Sequence, residues 1–160
     1  GSKGISELVK AWRKAEFDSL TLKIIGTGDQ YSNFIKKENY GNIQFLGEMD
    51  NSTTKEYIKK SRAVITATKL YEGQPRLLCE ASSYGVPSIY PSFGGMDEFF
   101  PEDYTFSFEQ YNYSELFEKI KMLKNSEKLD KESNKVLNHI REKLNEEKLI
   151  EKFQLIIEEK

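Results

Sequence analysis

Two acidic side chains flank the start of a candidate helix in the segment from Tyr71 to Pro87. Pro75 suits the first turn of a helix, where a missing amide hydrogen is no loss, and Gly85 suits the end. A helix start offers free backbone amides and the positive end of the helix dipole, which together favour a phosphate. Glu72 precedes this start and Glu80 follows it. The pattern therefore indicates an anion site with a hydroxyl-binding carboxylate on each side.

The spacing of the second carboxylate fits one nucleotide. Glu80 lies about 7.5 Å beyond Pro75 along a helix axis, which is roughly the separation between a pyrophosphate and its ribose hydroxyls. Glu72 would then face the other side of the phosphates, where a transferred sugar hangs. Because the rest of the helix is small and apolar, Glu80 either points to solvent or meets strong donors such as sugar hydroxyls. An ordinary strand-loop-helix, with Glu72 as a helix cap and Glu80 on the surface, fits the spacing equally well.

Strands and helices alternate through the first two-thirds of the chain. Periodicity predicts a helix over residues 4–16 and strands near residues 20–25, 43–46, 63–66, 86–90 and 104–108. Further helices are predicted to open at Gly28 and Asp29, at Ser52 or Thr53 and at Pro75, and two or three more make up residues 113–160. The fold class is therefore α/β, a Rossmann-like parallel sheet with helices on both faces. Ligands of such sheets bind beyond the carboxyl ends of the strands.

Three smaller signals have plain explanations. Gly26-Thr27-Gly28 resembles a dinucleotide fingerprint, but Tyr31 stands where the third glycine belongs, so we expect a tight turn. His139 and Cys79 are interpreted as a surface residue and a small core residue. An apolar stripe near the C-terminus must cover this sheet or a further domain; it comprises Leu149, Ile150, Phe153, Ile156 and Ile157.

Composition narrows the class of protein. A net charge of -2 provides no basic face, so we expect no nucleic-acid partner. No apolar run reaches the roughly 20 residues of a membrane-spanning helix. The single cysteine fits a reducing compartment, which indicates a cytoplasmic protein. A position at the inner face of the membrane agrees with this location. One histidine and no cluster of metal ligands agree with a site that needs no metal or other cofactor.

The start of the chain indicates a domain cut from something longer. Gly1 and Ser2 resemble a cloning remnant, and a helical pattern begins almost at once without a preceding strand. We therefore expect residues 1–160 to form a single domain excised from a longer two-domain chain.

The two-glutamate segment resembles the retaining glycosyltransferases of family four, which have the GT-B fold. The shared pattern is a Glu, seven residues and a second Glu, set within Glu-Gly-x-Pro, Glu-Ala and Gly-x-Pro. Four further pieces follow the family in order: Lys3-Gly4, Leu22 to Gly28, Asn42 to Gly47, and Gly94-Gly95-Met96-Asp97-Glu98. The resemblance extends over most of the chain and implies the nucleotide-sugar-binding, C-terminal half of such an enzyme.

The resemblance also implies residue roles. Lys3 would neutralise the donor diphosphate, the backbone amides of Gln74, Arg76 and Leu77 would hold its oxygens, and Gly73 would be a further donor-binding residue. Enzymes of this fold generally need no metal, so the resemblance also implies a site without a metal or other cofactor. Glu80 would take the ribose hydroxyls, and Glu72, the catalytic candidate, a hydroxyl of the donor sugar. The base would meet Gly47, Glu48 and Met49. The Arg76 side chain is either solvated or a second phosphate contact.

Several family features are missing from these 160 residues. They are the arginine before Lys3-Gly4, the first strand of the sheet, and an N-terminal acceptor domain. We therefore expect this fragment to be inactive alone and to need that domain, through which any peripheral membrane association would also come. Residues 99–103 depart from the family's Gly-containing loop. Two alternatives remain open at this point: a nucleotide-sugar epimerase of the same architecture and a noncatalytic α/β regulatory module.

Overall fold

The computed structural model describes residues 3–28, 41–73, 75–143 and Asn145. The helix predicted to open at Gly28 and Asp29, the apolar stripe near the C-terminus, and Gln74 therefore lie wholly or mainly outside the described residues.

Helices and strands alternate along the described chain, as the periodicity predicts. The helices are α1 (Ile5–Lys14), α2 (Asn51–Lys59), α3 (Arg76–Ser83), α4 (Tyr113–Lys121) and α5 (Ser126–Lys143), with short 3-10 turns at Asp97–Phe99 and Met122–Lys124. The strands are β1 (Leu22–Ile25), β2 (Ile43–Gly47), β3 (Val64–Ile65), β4 (Ser88–Ser92) and β5 (Ser107–Glu109). The predicted strands and the Pro75 helix are confirmed to within a few residues.

All the strand pairs described are parallel. β1 pairs with β2, starting with Leu22 opposite Ile43, to form a two-stranded group. β3, β4 and β5 form a three-stranded group in that order. Parallel pairing puts the carboxyl ends of paired strands at one edge, so the loops after them gather there.

Strand β4 is covered on both faces. Its successive residues Ile89 and Tyr90 point to opposite sides of the sheet, yet they are 0% and 1% exposed. Helices on both faces account for this burial, because parallel strands flanked by crossover helices are buried on both sides. α1 packs against α4, while α3 packs against α5. The predicted Rossmann-like α/β fold is therefore confirmed.

The cap of α2 differs from the sequence prediction. Asp50, rather than Ser52 or Thr53, is the N-cap, and its carboxylate accepts a hydrogen bond of 2.8 Å from the Thr53 amide. Asp50 has an extended backbone and lies three residues before the amide that it caps, which is the geometry an N-cap needs. Thr53 is thus the capped residue and not the cap.

The start of α1 lies against the end of β3. Gly4 caps α1 with a φ of 65°, and a Cβ atom at this position would lie 2.0 Å from the Ala67 carbonyl oxygen. Only glycine allows this approach, since any side chain would collide with backbone. The contact brings Lys3, just before α1, next to the loop that follows β3.

None of the helices that the structure describes is both long and apolar enough to cross a bilayer.

Candidate functional site

The loops after β1 and β2 meet at the carboxyl edge of their sheet. The Gly26 amide donates a hydrogen bond of 2.7 Å to the Gly47 carbonyl oxygen. Beyond Gly47 the chain runs through exposed Glu48 and half-buried Met49 to the Asp50 cap of α2. The three residues predicted to contact the base therefore stand at the binding edge, directly before α2.

The start of α3 presents backbone amides without a side-chain cap. Its N-cap is Pro75, and the first intrahelical bond runs from the Cys79 amide to the Pro75 carbonyl oxygen at 3.0 Å. The amides of Arg76, Leu77 and Leu78 precede that bond and have no carbonyl partner within the helix. The start of α2 differs, because the Asp50 carboxylate already occupies it. An anion is therefore favoured at α3 and disfavoured at α2.

An open depression of about 450 Å³ lies between the starts of α2 and α3. Its lining comprises Asn51 and Thr54 from α2 together with Arg76, Leu77 and Glu80 from α3. Leu77 is 41% exposed, so it forms an apolar wall instead of the core contact that the composition of its helix predicts. Three residues predicted to bind the donor thus share one surface.

Glu80 lies between the two positions that the sequence left open. Its side chain is 27% exposed, so it is neither buried nor fully in solvent. Its Oε1 atom is 3.9 Å from Lys55 Nζ, which is within ion-pair range but too long for a hydrogen bond. No described donor makes a hydrogen bond to this carboxylate, which leaves its oxygens able to accept from a ligand.

Glu72 does not cap α3. Its Oε1 atom lies 3.1 Å from Lys3 Nζ, and the Glu72 side chain is 31% exposed. The Glu72 carbonyl oxygen accepts a hydrogen bond of 3.1 Å from the Gly95 amide, and a Cβ atom on Gly95 would lie 2.6 Å from the Gly73 carbonyl oxygen. This close packing fixes the loop that carries Glu72 and Gly73 against the loop after β4.

Asp97 anchors that second loop. Its carboxylate accepts hydrogen bonds from the Tyr90 hydroxyl at 3.0 Å and the Ser92 hydroxyl at 2.5 Å. Burial, followed by the nearby Asp97 charge, raises the pKa of Tyr90, so this phenol stays protonated and remains a donor. Glu98 is exposed, and its backbone carbonyl oxygen accepts a hydrogen bond from Lys143. The Gly94–Glu98 segment is thus a structured part of the same edge.

Two of the smaller signals, Cys79 and His139, are not among the residues that line the depression. Cys79 is half-buried, and burial raises the pKa of its thiol, which therefore stays protonated and unreactive near neutral pH. His139 is on α5, where it is partly buried and not on the open surface that the sequence predicts, and its Nε2 atom has no partner among the described residues. Across the described ranges, no three His, Cys, Asp or Glu side chains form a cluster able to hold a metal ion.

The contribution of α2 to the site was not predicted from the sequence. Asn51 and Thr54 line the depression, and Lys55 pairs with Glu80. Their i, i+3, i+4 spacing, directly after a loop at the binding edge, was a signal that one face of this helix meets the site. The structure thus joins Lys3 to Glu72 and sets Arg76, Leu77 and Glu80 around the start of α3.

The family model and the curated relative that match this chain are both of glycosyltransferases. Residues 1–157 match the family described as glycosyl transferases group 1. The amylovoran biosynthesis glycosyltransferase AmsD of Erwinia amylovora is 29% identical over 89 residues, which cover 54% of this chain and 25% of that protein. This chain therefore aligns with only a quarter of the relative's length.

Solved structures share the fold at low sequence identity. One is a variant of S. aureus TarM with fondaparinux, alpha-GlcNAc-glycerol and UDP, which superposes with a TM-score of 0.79 at 21% identity over 96% of this chain and 32% of that one. Another is Anabaena HepE in complex with UDP, with a TM-score of 0.78 at 15% identity over 99% of this chain and 46% of that one. These neighbours have the GT-B fold, of which this chain corresponds to one Rossmann-like half. Since the family match extends over nearly all of its residues, the chain belongs to the glycosyl transferases group 1.

Proposed function

We propose that this chain is the donor-binding half of a retaining glycosyltransferase. It binds a nucleoside diphosphate sugar, and the sugar passes to a glycan or lipid-linked acceptor held by an N-terminal domain of the same protein. The observation that carries the proposal is the start of α3, which has no side-chain cap, with the Glu80 carboxylate, which accepts no hydrogen bond from a described donor, beside it in one depression.

The start of α3 is suited to a leaving diphosphate. Negative charge grows on the nucleoside diphosphate as the bond to the sugar breaks, and preorganised amides stabilise that charge without reorganising. The amides of Gly73, Gln74, Arg76 and Leu77 are the donors in this proposal. The Lys3 ammonium adds positive charge on the side of Glu72. Because these groups supply the electrostatic stabilisation, the proposed transfer needs no metal.

The two carboxylates give the site a direction. Glu80 takes the ribose hydroxyls, since it lies within the depression and its oxygens are free to accept. Glu72 takes a hydroxyl of the donor sugar, since it stands on the loop before the helix. The base then lies toward Gly47, Glu48 and Met49, at the end of β2. TarM and HepE, which share the fold, were solved in complex with UDP, and this supports a nucleotide ligand.

Calorimetry tests the proposal. The 160-residue chain is titrated with UDP, GDP and ADP, with and without EDTA, and at least one nucleoside diphosphate is expected to bind with an affinity that EDTA does not change. Glu80→Ala is expected to weaken that binding at least tenfold, because hydrogen bonds to a charged group contribute about 1.5–3 kcal/mol.

The matched control is Glu127→Ala, an acidic residue in the first turn of α5. Absence of binding to all three nucleotides would overturn the donor site and favour a noncatalytic role. Release of nucleoside diphosphate from a nucleotide sugar by the fragment and an acceptor would contradict the need for the second domain.

A further inference from the structure

Helices α2 and α3 run side by side with their starts at the same edge. Asn51 and Thr54 in the first turn of α2 share a depression with the first turn of α3. Lys55, one turn after Asn51, pairs with Glu80, which also lines the depression. One turn beyond this pair on both helices, the Lys59 ammonium lies 5.2 Å from the centre of the Tyr84 ring. Contacts at i and i+4 on both helices mean that one stripe of α2 follows one stripe of α3.

Within that stripe, Lys55 contacts Glu80 without occupying its acceptor positions. The 3.9 Å separation of Lys55 Nζ and Glu80 Oε1 allows Coulomb attraction but no hydrogen bond. Both side chains are partly sheltered, at 36% and 27% exposed, so water screens the pair less than a fully exposed one. The ammonium therefore restrains the carboxylate and leaves its oxygens available.

A carboxylate that accepts hydrogen bonds from two neighbouring hydroxyls must be held in one orientation. Glutamate has several rotatable bonds, and fixing them at the moment of binding costs conformational entropy. A lysine already attracting the carboxylate lowers that cost, because the charged group is oriented before the ligand arrives.

We propose that Lys55 is a positioning residue that orients Glu80 toward the ribose and thereby sets the preference for ribonucleoside over dideoxyribonucleoside diphosphates. This inference rests on the proposed function, since it assumes that a nucleoside diphosphate occupies the depression. It assigns to α2 a part in reading the sugar of the nucleotide.

The test compares affinities for nucleotides with and without ribose hydroxyls. The tightest binder among UDP, GDP and ADP, and its 2′,3′-dideoxy counterpart, are titrated into the wild-type chain, Glu80→Gln, Lys55→Met and Lys55→Arg. Lys60→Met is the matched control, because Lys60 is an exposed lysine at the C-terminal end of the same helix. Circular dichroism melting curves establish that each variant is folded.

The expected readout is the ratio of the two dissociation constants. Wild type prefers the ribonucleotide, Glu80→Gln loses most of that preference, and Lys55→Met lowers it by about two- to fivefold, as expected for a partly exposed ion pair. Lys55→Arg and Lys60→Met keep the wild-type ratio. A variant that only destabilised the fold would lower the affinity for both nucleotides equally and leave the ratio of the dissociation constants unchanged.

The failures are distinguishable. If Glu80→Gln lowers the ratio and Lys55→Met does not, the role of Lys55 is overturned while the proposed function stands. If wild type shows no preference for the ribonucleotide, Glu80 does not read the ribose and the inference falls with that assignment. If no nucleoside diphosphate binds, the donor site itself is wrong, and the inference is wrong with it.

Discussion

Lys3 Nζ and Glu72 Oε1 lie 3.1 Å apart, joining the residue before α1 to the loop that follows β3. The cation proposed for the diphosphate thus contacts the carboxylate proposed for the donor sugar. The Gly4 contact with Ala67 accounts for this meeting, because it places the start of α1 against the end of β3. A diphosphate must compete with Glu72 for the same ammonium.

That competition predicts different effects on nucleoside diphosphate affinity when Lys3 or Glu72 is replaced. Lys3→Met is expected to weaken nucleoside diphosphate binding by about three- to tenfold, because a charge-assisted contact is lost. Glu72→Gln is expected to leave that affinity unchanged or slightly higher, since the Lys3 ammonium is released, while binding of the nucleotide sugar weakens. Calorimetry with the tightest binder among UDP, GDP and ADP, and with nucleotide sugars of the same base, measures both effects. A loss of nucleoside diphosphate affinity in Glu72→Gln as large as in Glu80→Ala would contradict the assignment of Glu72 to the sugar.

The close approach of Gly95 to Gly73 predicts a position where one methyl group disturbs the site. A Cβ atom on Gly95 would lie 2.6 Å from the Gly73 carbonyl oxygen, so Gly95→Ala must displace the loop that carries Glu72. We expect a loss of about 1–3 kcal/mol in the free energy of unfolding, measured by urea denaturation. Gly73→Ala is the control, because its nearest Cβ neighbour would be Tyr71 Cε1 at 3.8 Å. Equal stability of the Gly95 variant and wild type would show that the two loops are not tightly packed.

Glu7 on α1 predicts an acid-sensitive contribution to stability. Burial opposes its ionisation, but the 2.7 Å hydrogen bond from Lys69, a backbone hydrogen bond and the Lys69 charge together outweigh burial and lower the pKa of Glu7 below its ordinary value of 4.5. A carboxylate with a depressed pKa stabilises the fold above its ordinary pKa, and this stabilisation is lost as the pH falls through the lowered value. Wild type is therefore expected to exceed Glu7→Gln in stability at pH 7, with the difference shrinking below about pH 4. Melting temperatures across pH 3–7 measure it, and a difference independent of pH would argue against the ion pair.

Glu132 on α5 predicts a structural effect outside the depression. Glu132 is 2% exposed. Its carboxylate accepts a hydrogen bond of 3.1 Å from the Thr105 amide and forms an ion pair with the Lys135 ammonium, also at 3.1 Å. Glu132→Ala leaves that amide without its partner, so we expect a loss of about 2 kcal/mol in the free energy of unfolding. Asp103→Ala is the control, because Asp103 pairs with the same lysine but is 72% exposed. Urea denaturation that ranks the Asp103 variant as the less stable would contradict this assignment.

The elements of the fold followed from the sequence because their signals are local. Alternation of short apolar runs with helical periodicity predicted every described strand, and Pro75 and Gly85 bounded α3 correctly to within a residue or two. The predicted cap of α2, Ser52 or Thr53, was wrong because Asp50 has an equally suitable side chain, and only the backbone conformation, which the sequence does not reveal, decides which residue is the cap.

Only some residues of the candidate site were predicted from the sequence. Glu72 and Glu80 were singled out because both belong to one segment around a single helix start. Lys55 was not, because its contact with Glu80 depends on how α2 is rotated about its own axis against α3. The Lys3–Glu72 pair was missed for a similar reason: the contact spans 69 positions and depends on the packing of Gly4 against Ala67. Long-range packing, and not residue type, decided both contacts.

The donor site at the start of α3 is tested most directly by measuring which backbone amide resonances shift when a nucleoside diphosphate is added. At 18.6 kDa, the chain suits two-dimensional amide NMR, and UDP, GDP and ADP are titrated to saturation. The proposed donor site predicts the largest shifts at the amides of Arg76, Leu77 and Leu78, and smaller shifts at Asn51 and Thr54, which line the same depression. Shifts confined to α2 or to α5, or none for any of the three nucleotides, would contradict it.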